Sequence, residues 1–389
     1  MVEGFHAAGI AAGIKKGGTP DMALIVADAP AVGAGLLTTN QVKAAPVLVD
    51  RERLRGARFR AIIANSGNAN ACTGALGVAD AREMARLTAR ALGVREGEVL
   101  VASTGVIGQR LPMAAVRQGV PRLVRRLSPL GLPEAASAIM TTDTFPKLAH
   151  ASAVVGGRRV MVCGIAKGAG MIRPSMATML AFILTDAQIR APALRAALKH
   201  AVGASFNRIT VDGDMSTNDT VIALASGRAG NPTDRGSLQA VARLLARVCR
   251  ELALMIVRDG EGATKVITVE VRGARTEAEA RRTAYAVAHS PLVKTAIFGQ
   301  DANWGRILAA IGGTGVPVDP NRVEVAFDRT VLVRQGVQAG RAAEQRAAAA
   351  LKRPALTITV DLHQGRAAAA VYTSDLTYEY VRINAGYRT

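Results

Sequence analysis

The stretch Lys167-Gly-Ala-Gly-Met-Ile-Arg-Pro-Ser-Met-Ala-Thr-Met-Leu180 runs on into Ala181-Phe-Ile-Leu184. A Gly-rich turn carrying a lone Lys leads to a small residue, Ala177. A Thr then opens an apolar run that reads as a strand. That is the layout of a self-cleaving precursor whose new N-terminal Thr becomes a nucleophile. A Thr hydroxyl is weak at its free pKa, but an adjacent α-amino group serves as its base. Such an amine has a pKa of roughly 7.7–8.0, so it shuttles protons near neutral pH without a histidine. Small Ala177 leaves its carbonyl open to attack, and Pro174 restricts the backbone leading to it. The plainer alternative is a β-branched residue inside an ordinary strand. Residue types alone leave both open.

Outward from this stretch the chain alternates strand-like and helix-like segments, which gives an α/β class. Strands are expected at Met22–Val26, Arg60–Ala64, Val266–Val271, Val323–Phe327, Leu356–Asp361 and Ala367–Thr373. Ser152–Val155 and Val160–Gly164 flank Gly156-Gly157, a hairpin signal. Helical spacing covers Val78–Leu92, Ala114–Leu127, Pro192–Val202, Gly236–Val257, Thr276–His289 and the Ala-rich Ala339–Leu351. A smaller C-terminal α/β domain is expected from about residue 275, at the soft boundary Gly273–Thr276.

Composition narrows the function. The 389 residues are 49% hydrophobic, enough for a large core. No run approaches the ~18 apolar residues of a membrane helix. The opening Met-Val-Glu-Gly-Phe-His lacks a basic, then apolar, leader, so a cytoplasmic protein is expected. Cys72, Cys163 and Cys249 form no metal-binding pair and are expected to be reduced, small, buried hydrophobes. The net charge of +19 raises nucleic-acid binding as a rival. Against it, the basic residues are mostly Arg, spread along the chain, and aromatics are too few (3%) to stack single strands. No nucleic-acid partner is expected, although a basic surface would attract anionic substrates. Asp212, Asp214 and Asp219, with Asn218, form the densest acidic cluster. They lack the Gly and the bidentate acid of a calcium loop, and read as hydrogen-bonding scaffold rather than a metal site.

The wording of the central stretch adds more. Other segments accompany it in order: Gly4-Phe-His-Ala-Ala-Gly-Ile-Ala-Ala-Gly-Ile-Lys-Lys16, Thr38-Thr-Asn-Gln-Val-Lys-Ala-Ala-Pro46, Asn65-Ser-Gly-Asn-Ala-Asn-Ala-Cys-Thr-Gly74, Ser103-Thr-Gly-Val-Ile-Gly108 and Met140-Thr-Thr-Asp-Thr-Phe-Pro-Lys147. Beyond the Thr lie Phe206-Asn-Arg-Ile-Thr-Val-Asp-Gly-Asp-Met-Ser-Thr-Asn-Asp-Thr220, Arg258-Asp-Gly-Glu-Gly-Ala-Thr-Lys265, Gly299-Gln-Asp-Ala-Asn-Trp-Gly-Arg306 and Asp375-Leu-Thr-Tyr-Glu-Tyr-Val381. Together they resemble the ornithine acetyltransferase (glutamate N-acetyltransferase) family of arginine biosynthesis. The resemblance implies an αββα-type sandwich, self-cleavage between Ala177 and Thr178, and two chains, 1–177 and 178–389, assembled as an α2β2 heterotetramer. It implies ping-pong transfer of acetyl from N2-acetylornithine to glutamate through Thr178, with acetyl-CoA as a possible second donor and no cofactor. It assigns Thr104 and Gly105 to the oxyanion hole, and Thr141, Lys167, Thr178, Glu261, Asn384 and Thr389 to substrate binding. Without it, Thr104-Gly105 would read as a plain turn, Thr141 as loop polarity, Lys167 and Glu261 as solvated, and the two C-terminal residues as frayed. Gly386, where an acidic residue is more usual, departs from the family pattern.

Two rivals remain at this point. One is an amidohydrolase or aminopeptidase that uses the same machinery and delivers the acyl group to water. The other is the basic nucleic-acid-binding protein.

Overall fold

The computed structural model describes residues 2–173 and 179–386. Ala177 and Thr178, the expected cleavage pair, lie outside the described residues, as does Thr389. The chain divides into two compact units. One comprises residues up to Asn207 together with Asp214–Ile256; the other comprises Arg208–Gly213 and the chain from Val257.

The first unit is organised by one long strand. β1 (Phe5–Ile10) pairs antiparallel with β2 (Met22–Leu37), which is 16 residues long. Only Met22–Val26 of β2 has the apolar run that marks a strand in sequence. An irregularity between Val26 and Ala31 lets the strand change partners, and its far half pairs with β8. α1 (Ala45–Arg53) leads to β3 (Arg58–Asn65), α2 (Gly74–Leu92) and β4 (Val99–Ser103). β3 and β4 run parallel, with α2 as the crossover between them. α3 (Met113–Arg125) and α4 (Leu132–Ala138) precede the hairpin of β5 (Lys147–Val155) and β6 (Arg158–Lys167), which turns at Gly156-Gly157. β7 (Leu180–Thr185) crosses through α5 (Ala191–Gly203) to its parallel neighbour β8 (Thr220–Ala225), and α6 (Arg235–Arg258) follows.

The sheet order is β4-β3-β2-β8-β7-β6-β5, with β1 beside the near half of β2. Both halves of the sheet contribute to one apolar cluster, with Ile25, Phe59 and Ile62 from one and Ile165, Phe182 and Leu224 from the other. The opposite face of the near half packs on α2 and α3 through Met84, Val116 and Leu123. On the far half, Gly164 and Ile183 lie against Val248 and Leu252 of α6. The layers therefore run α, β, β, α, the sandwich that the resemblance implies. Strands β7 and β8 are buried at every position, which is why they read as unbroken apolar runs.

The second unit contains β9 (Val266–Ala274), α7 (Glu277–His289), α8 (Pro291–Phe298) and α9 (Trp304–Gly312). Then come β10 (Glu324–Phe327), β11 (Thr330–Arg334), β12 (Val337–Gln338) and α10 (Arg341–Ala350), and finally β13 (Ala355–Asp361), β14 (Ala367–Ser374) and α11 (Tyr378–Gly386). Its six-stranded sheet runs β12-β11-β10-β13-β9-β14. Ile267, Val269 and Val271 of β9 alternate inward to one core with α7, whose first turn is capped by the Thr276 hydroxyl. β9, which precedes Gly273–Thr276 for most of its length, is one of the inner strands of this unit's sheet. One expectation needs correction. Cys163 and Cys249 are buried, but Cys72 is exposed, on the loop leading into α2 with φ of 57°. Among the described residues, no helix is long and apolar enough to cross a membrane.

Candidate active site

Motifs that are distant in sequence meet in the first unit. The loop after β3 carries Asn65-Ser-Gly-Asn-Ala-Asn, and its polar groups form a cradle for the turn that follows β4. Thr104 N donates to Asn65 O at 3.0 Å, and Ser103 Oγ donates to Asn65 Oδ1 at 2.6 Å. Asn68 Nδ2 holds the outgoing chain at the Gln109 and Arg110 carbonyls. Gly105 is required here. Its φ is 131°, and a Cβ would lie 2.3 Å from the Gly67 carbonyl carbon.

Thr104 is buried, and Lys167 Nζ donates to its Oγ1 at 3.3 Å. A hydroxyl that accepts from an ammonium keeps its own proton to donate elsewhere. Lys167 ends β6, and strand register sets it opposite Leu180 of β7, two residues beyond Thr178. It is 3% exposed, unlike the solvated lysine of the plain reading.

Asp143 explains how that lysine is tolerated. Its carboxylate accepts from Gly168 N at 2.7 Å, Thr141 N at 3.0 Å and Lys147 Nζ at 2.6 Å. Burial alone would raise its pKa. The charges of Lys167 and Lys147, with these hydrogen bonds, outweigh burial and hold it at about 2. Thr141 is thus brought to the cluster through its backbone, on the loop that Asp143 closes. Lys147 is fully buried, with its ammonium 5.0 Å from the centre of the Phe145 ring.

The N-terminal motif contributes Lys15. Buried Asp21 accepts from the N–H groups of Ala12, Gly13, Ile14 and Lys15, curling that loop around its carboxylate. Lys15 Nζ then reaches the Met140 carbonyl at 2.7 Å. Burial lowers its pKa; Asp21 and Asp143 act to raise it, and Lys167 adds to the lowering. The cluster carries more cations than anions, a composition suited to a carboxylate ligand.

The segment before β8 ties these parts together. Asn218 Nδ2 donates to Ala69 O at 2.7 Å and to Ser103 O at 2.8 Å. Asp219 Oδ1 accepts from Met179 N at 2.9 Å, and Thr220 N donates to Met179 O. Of the acidic cluster in sequence, Asp219 and Asn218 do serve as scaffold here. Asp212 belongs to the second unit, where Tyr380 Oη donates to its Oδ2 at 3.2 Å.

In the second unit the structure joins two more expected residues. Glu261 is buried and accepts from Asn384 Nδ2 at 2.8 Å. Asn384 lies on α11 rather than in a frayed tail, and it also donates to Tyr380 O. The two segments interlock through Thr377 Oγ1 to Gly262 O at 2.7 Å and through Asp375, which accepts from Thr264 N and Lys265 N. Gly262 has φ of 68°, and a Cβ there would meet Tyr380 N at 2.6 Å.

Residue types alone had singled out neither Asp143 nor Lys147, Lys15 or Asp21. The Asp-x-x-x-Lys spacing in Thr141-Thr-Asp-Thr-Phe-Pro-Lys147 was the available signal for the first pair.

The chain matches the ArgJ family over residues 6–389. It belongs to that family. The arginine biosynthesis bifunctional protein ArgJ of Geobacter sulfurreducens is 56% identical to it over 391 residues, with all of both chains covered. The protein of the same name from Symbiobacterium thermophilum is 51% identical, covering 99% of this chain and 97% of its own. Among solved structures, the arginine biosynthesis bifunctional protein ArgJ of Bacillus halodurans is 45% identical with a TM-score of 0.51. That likeness covers 53% of this chain and 98% of that one. Membership favours acyl transfer in arginine biosynthesis over the aminopeptidase and nucleic-acid alternatives.

Proposed function

We propose that this ArgJ-family chain cleaves itself between Ala177 and Thr178 and then carries acetyl from N2-acetylornithine to glutamate on the Thr178 hydroxyl. The observation that carries the reading is the buried Lys167–Thr104 contact, with Lys167 opposite the start of β7 and Thr104 next to Gly105. It supplies a cation and an oriented hydroxyl where a nucleophile just ahead of Met179 would use them.

In this reading the Thr178 α-amine accepts the hydroxyl proton as the oxygen attacks the acetyl carbonyl. The Thr104 hydroxyl and Gly105 N–H donate to the oxyanion. The ornithine amine takes the proton and leaves, acetyl stays on Thr178, and the glutamate amine then reverses the steps. Ornithine leaves before glutamate enters, so both react in turn at the same Thr178 hydroxyl. Lys167 and the backbone of the Thr141 loop hold the α-carboxylate common to both substrates. Glu261, oriented by Asn384, takes the distal amine that only the ornithine side chain carries, and Thr389 adds a polar contact. The relatives' designation as bifunctional supports acetyl-CoA as a second donor. An α2β2 assembly of the two cleaved chains and a cytoplasmic location complete the proposal.

Intact mass and acetyl-transfer assays test it together. The purified protein is expected as two fragments, the second beginning Thr-Met-Leu-Ala, and Thr178→Ala as one uncut, inactive chain. Acetate release from N2-acetylornithine that is indifferent to glutamate would instead mark a hydrolase. Glu261→Gln is expected to weaken N2-acetylornithine more than glutamate; equal weakening would remove Glu261 from that role.

A further inference from the structure

Asp219 is the one acid in the first unit whose burial is complete and whose carboxyl contacts the residue directly after Thr178. Its main-chain oxygen accepts from Thr38 N at 2.9 Å, and its Oδ1 accepts from Met179 N at 2.9 Å, so the carboxyl is fixed to the backbone at the start of β7. Its other oxygen, Oδ2, is buried and has no hydrogen-bond partner among the described residues. A buried carboxyl oxygen without a partner is costly and calls for an explanation. The neighbouring Asn218 is fully engaged with Ala69 and Ser103, so the same segment that holds the Thr104-Gly105 turn also presents this oxygen.

Burial raises the Asp219 pKa well above the carboxylate range, outweighing the Met179 N–H, the Lys167 charge and the Thr38 hydroxyl, which all favour the anion. Of its two oxygens, one is held by the Met179 N–H and the other is left able to take up a proton.

Self-cleavage needs such a pair of oxygens. Before the cut, the nitrogen of Thr178 is an amide, so the α-amine that serves transfer does not yet exist. We propose that Asp219 relays the proton that self-cleavage moves from the Thr178 hydroxyl to the Thr178 nitrogen, an inference that rests on the reading of Thr178 as nucleophile. The hydroxyl oxygen bonds to the Ala177 carbonyl carbon, and the bond from that carbon to nitrogen breaks. The hydroxyl proton passes to Asp219 and from Asp219 to the nitrogen. The carboxyl ends in the protonation state in which it began. Water then opens the resulting ester, leaving Ala177 with a carboxylate and Thr178 with a free hydroxyl and amine. Transfer afterwards uses that amine as its base and does not require the relay.

The test follows cleavage in freshly translated full chains by the disappearance of the 40.4 kDa species. Asp219→Asn keeps the shape and the acceptor facing Met179 N but cannot exchange protons in this way. It is expected to cleave at least about 100-fold more slowly than the wild type, the lower end for a lost general acid–base group, while retaining a wild-type trypsin-resistant core. Asp219→Glu, which keeps the acid, is expected to cleave within about tenfold of wild type. If D219N loses its core, D219E decides: cleavage supports the relay, and an uncut chain with an intact core overturns it. Wild-type cleavage rates in a well-folded D219N chain also overturn it while leaving Thr178 as nucleophile. A wild-type chain not cut before Thr178 removes the proposed function itself, and the relay with it.

Discussion

Each unit has a lysine buried in its interior, Lys147 in the first and Lys294 in the second, and the two are stabilised in different ways. In the first unit, Lys147 sits 2.6 Å from the Asp143 carboxylate, and Lys167 acts on the same acid. In the second, Lys294 of α8 donates to Thr373 Oγ1 at 3.0 Å and to the Ser374 carbonyl, with Asp375 and Asp212 acting only by charge. The outcomes differ accordingly. Asp143 is held at about 2 and stays ionised, whereas burial pushes Lys294 down to about 8 against the pull of Asp375 and Asp212. Direct ion pairing preserves charge in a dry site. Hydroxyls and carbonyls tolerate a lysine but let it lose its proton. The first arrangement suits a site that must hold an anionic substrate group, and the second suits a clamp between α8 and the end of β14.

Removing the shared anion should disturb the first arrangement most. Asp143→Asn leaves Lys147 buried beside a neutral amide and is expected to destabilise the protein by about 3–5 kcal/mol, read by denaturant unfolding. The sign with pH follows from the lowered pKa. The ionised Asp143 contributes stability above the unfolded-state value near 4, and that contribution is lost as pH falls toward 2. The wild type should therefore lose more stability than D143N over that interval. Parallel acid limbs would mean that the Asp143–lysine cluster adds nothing net.

The next effect is on rate. Thr104→Val keeps shape but removes the hydroxyl that accepts from Lys167. If Thr104 is an oxyanion donor, kcat for both half-reactions should fall about 10²–10³-fold, with KM changed little. A rise in KM alone would make it a binding residue.

The smallest effect belongs to the second unit. Folded Lys294 has a lowered pKa, so it costs stability below about 8 and recovers it as pH rises toward the unfolded value near 10.5. Relative to Lys294→Met, the wild type should gain about 1–2 kcal/mol between pH 7 and 9.5. Unfolding midpoints that keep a constant separation across that range would show that Lys294 keeps its proton.

How much of this was legible in the sequence depended on the kind of interaction. Apolar periodicity marked β9 and α7 because each buries one face, and Gly156-Gly157 marked the hairpin of β5 and β6. It gave less for β2, whose far half is bent by the irregularity after Val26 and contains Asp28, Pro30 and two glycines, residues that usually interrupt strands. β8 passed unnoticed because Thr220–Ala225 is a short apolar run buried at every position, without alternation. The site residues carried by motifs were legible only through resemblance, since no spacing tells a turn threonine from an oxyanion donor. The structure adds physical reasons for several of them. Thr104 meets Lys167, Glu261 meets Asn384, and Gly105 occupies a backbone position that excludes a side chain. Asp143 and Lys147 had stood inside the quoted motifs without a role, and Asp219 only as scaffold, because what they do depends on burial and on partners that only folding supplies.

Acetylation of Thr178 is tested most directly by incubating the processed enzyme with N2-acetylornithine alone, quenching in acid and weighing both fragments. The fragment beginning at Thr178 should gain one acetyl group, placed on its first residue by fragmentation, and should lose it on the addition of glutamate before the quench. Full exchange activity with no acetyl on that fragment, or an acetyl group found on the fragment ending at Ala177, would contradict the mechanism.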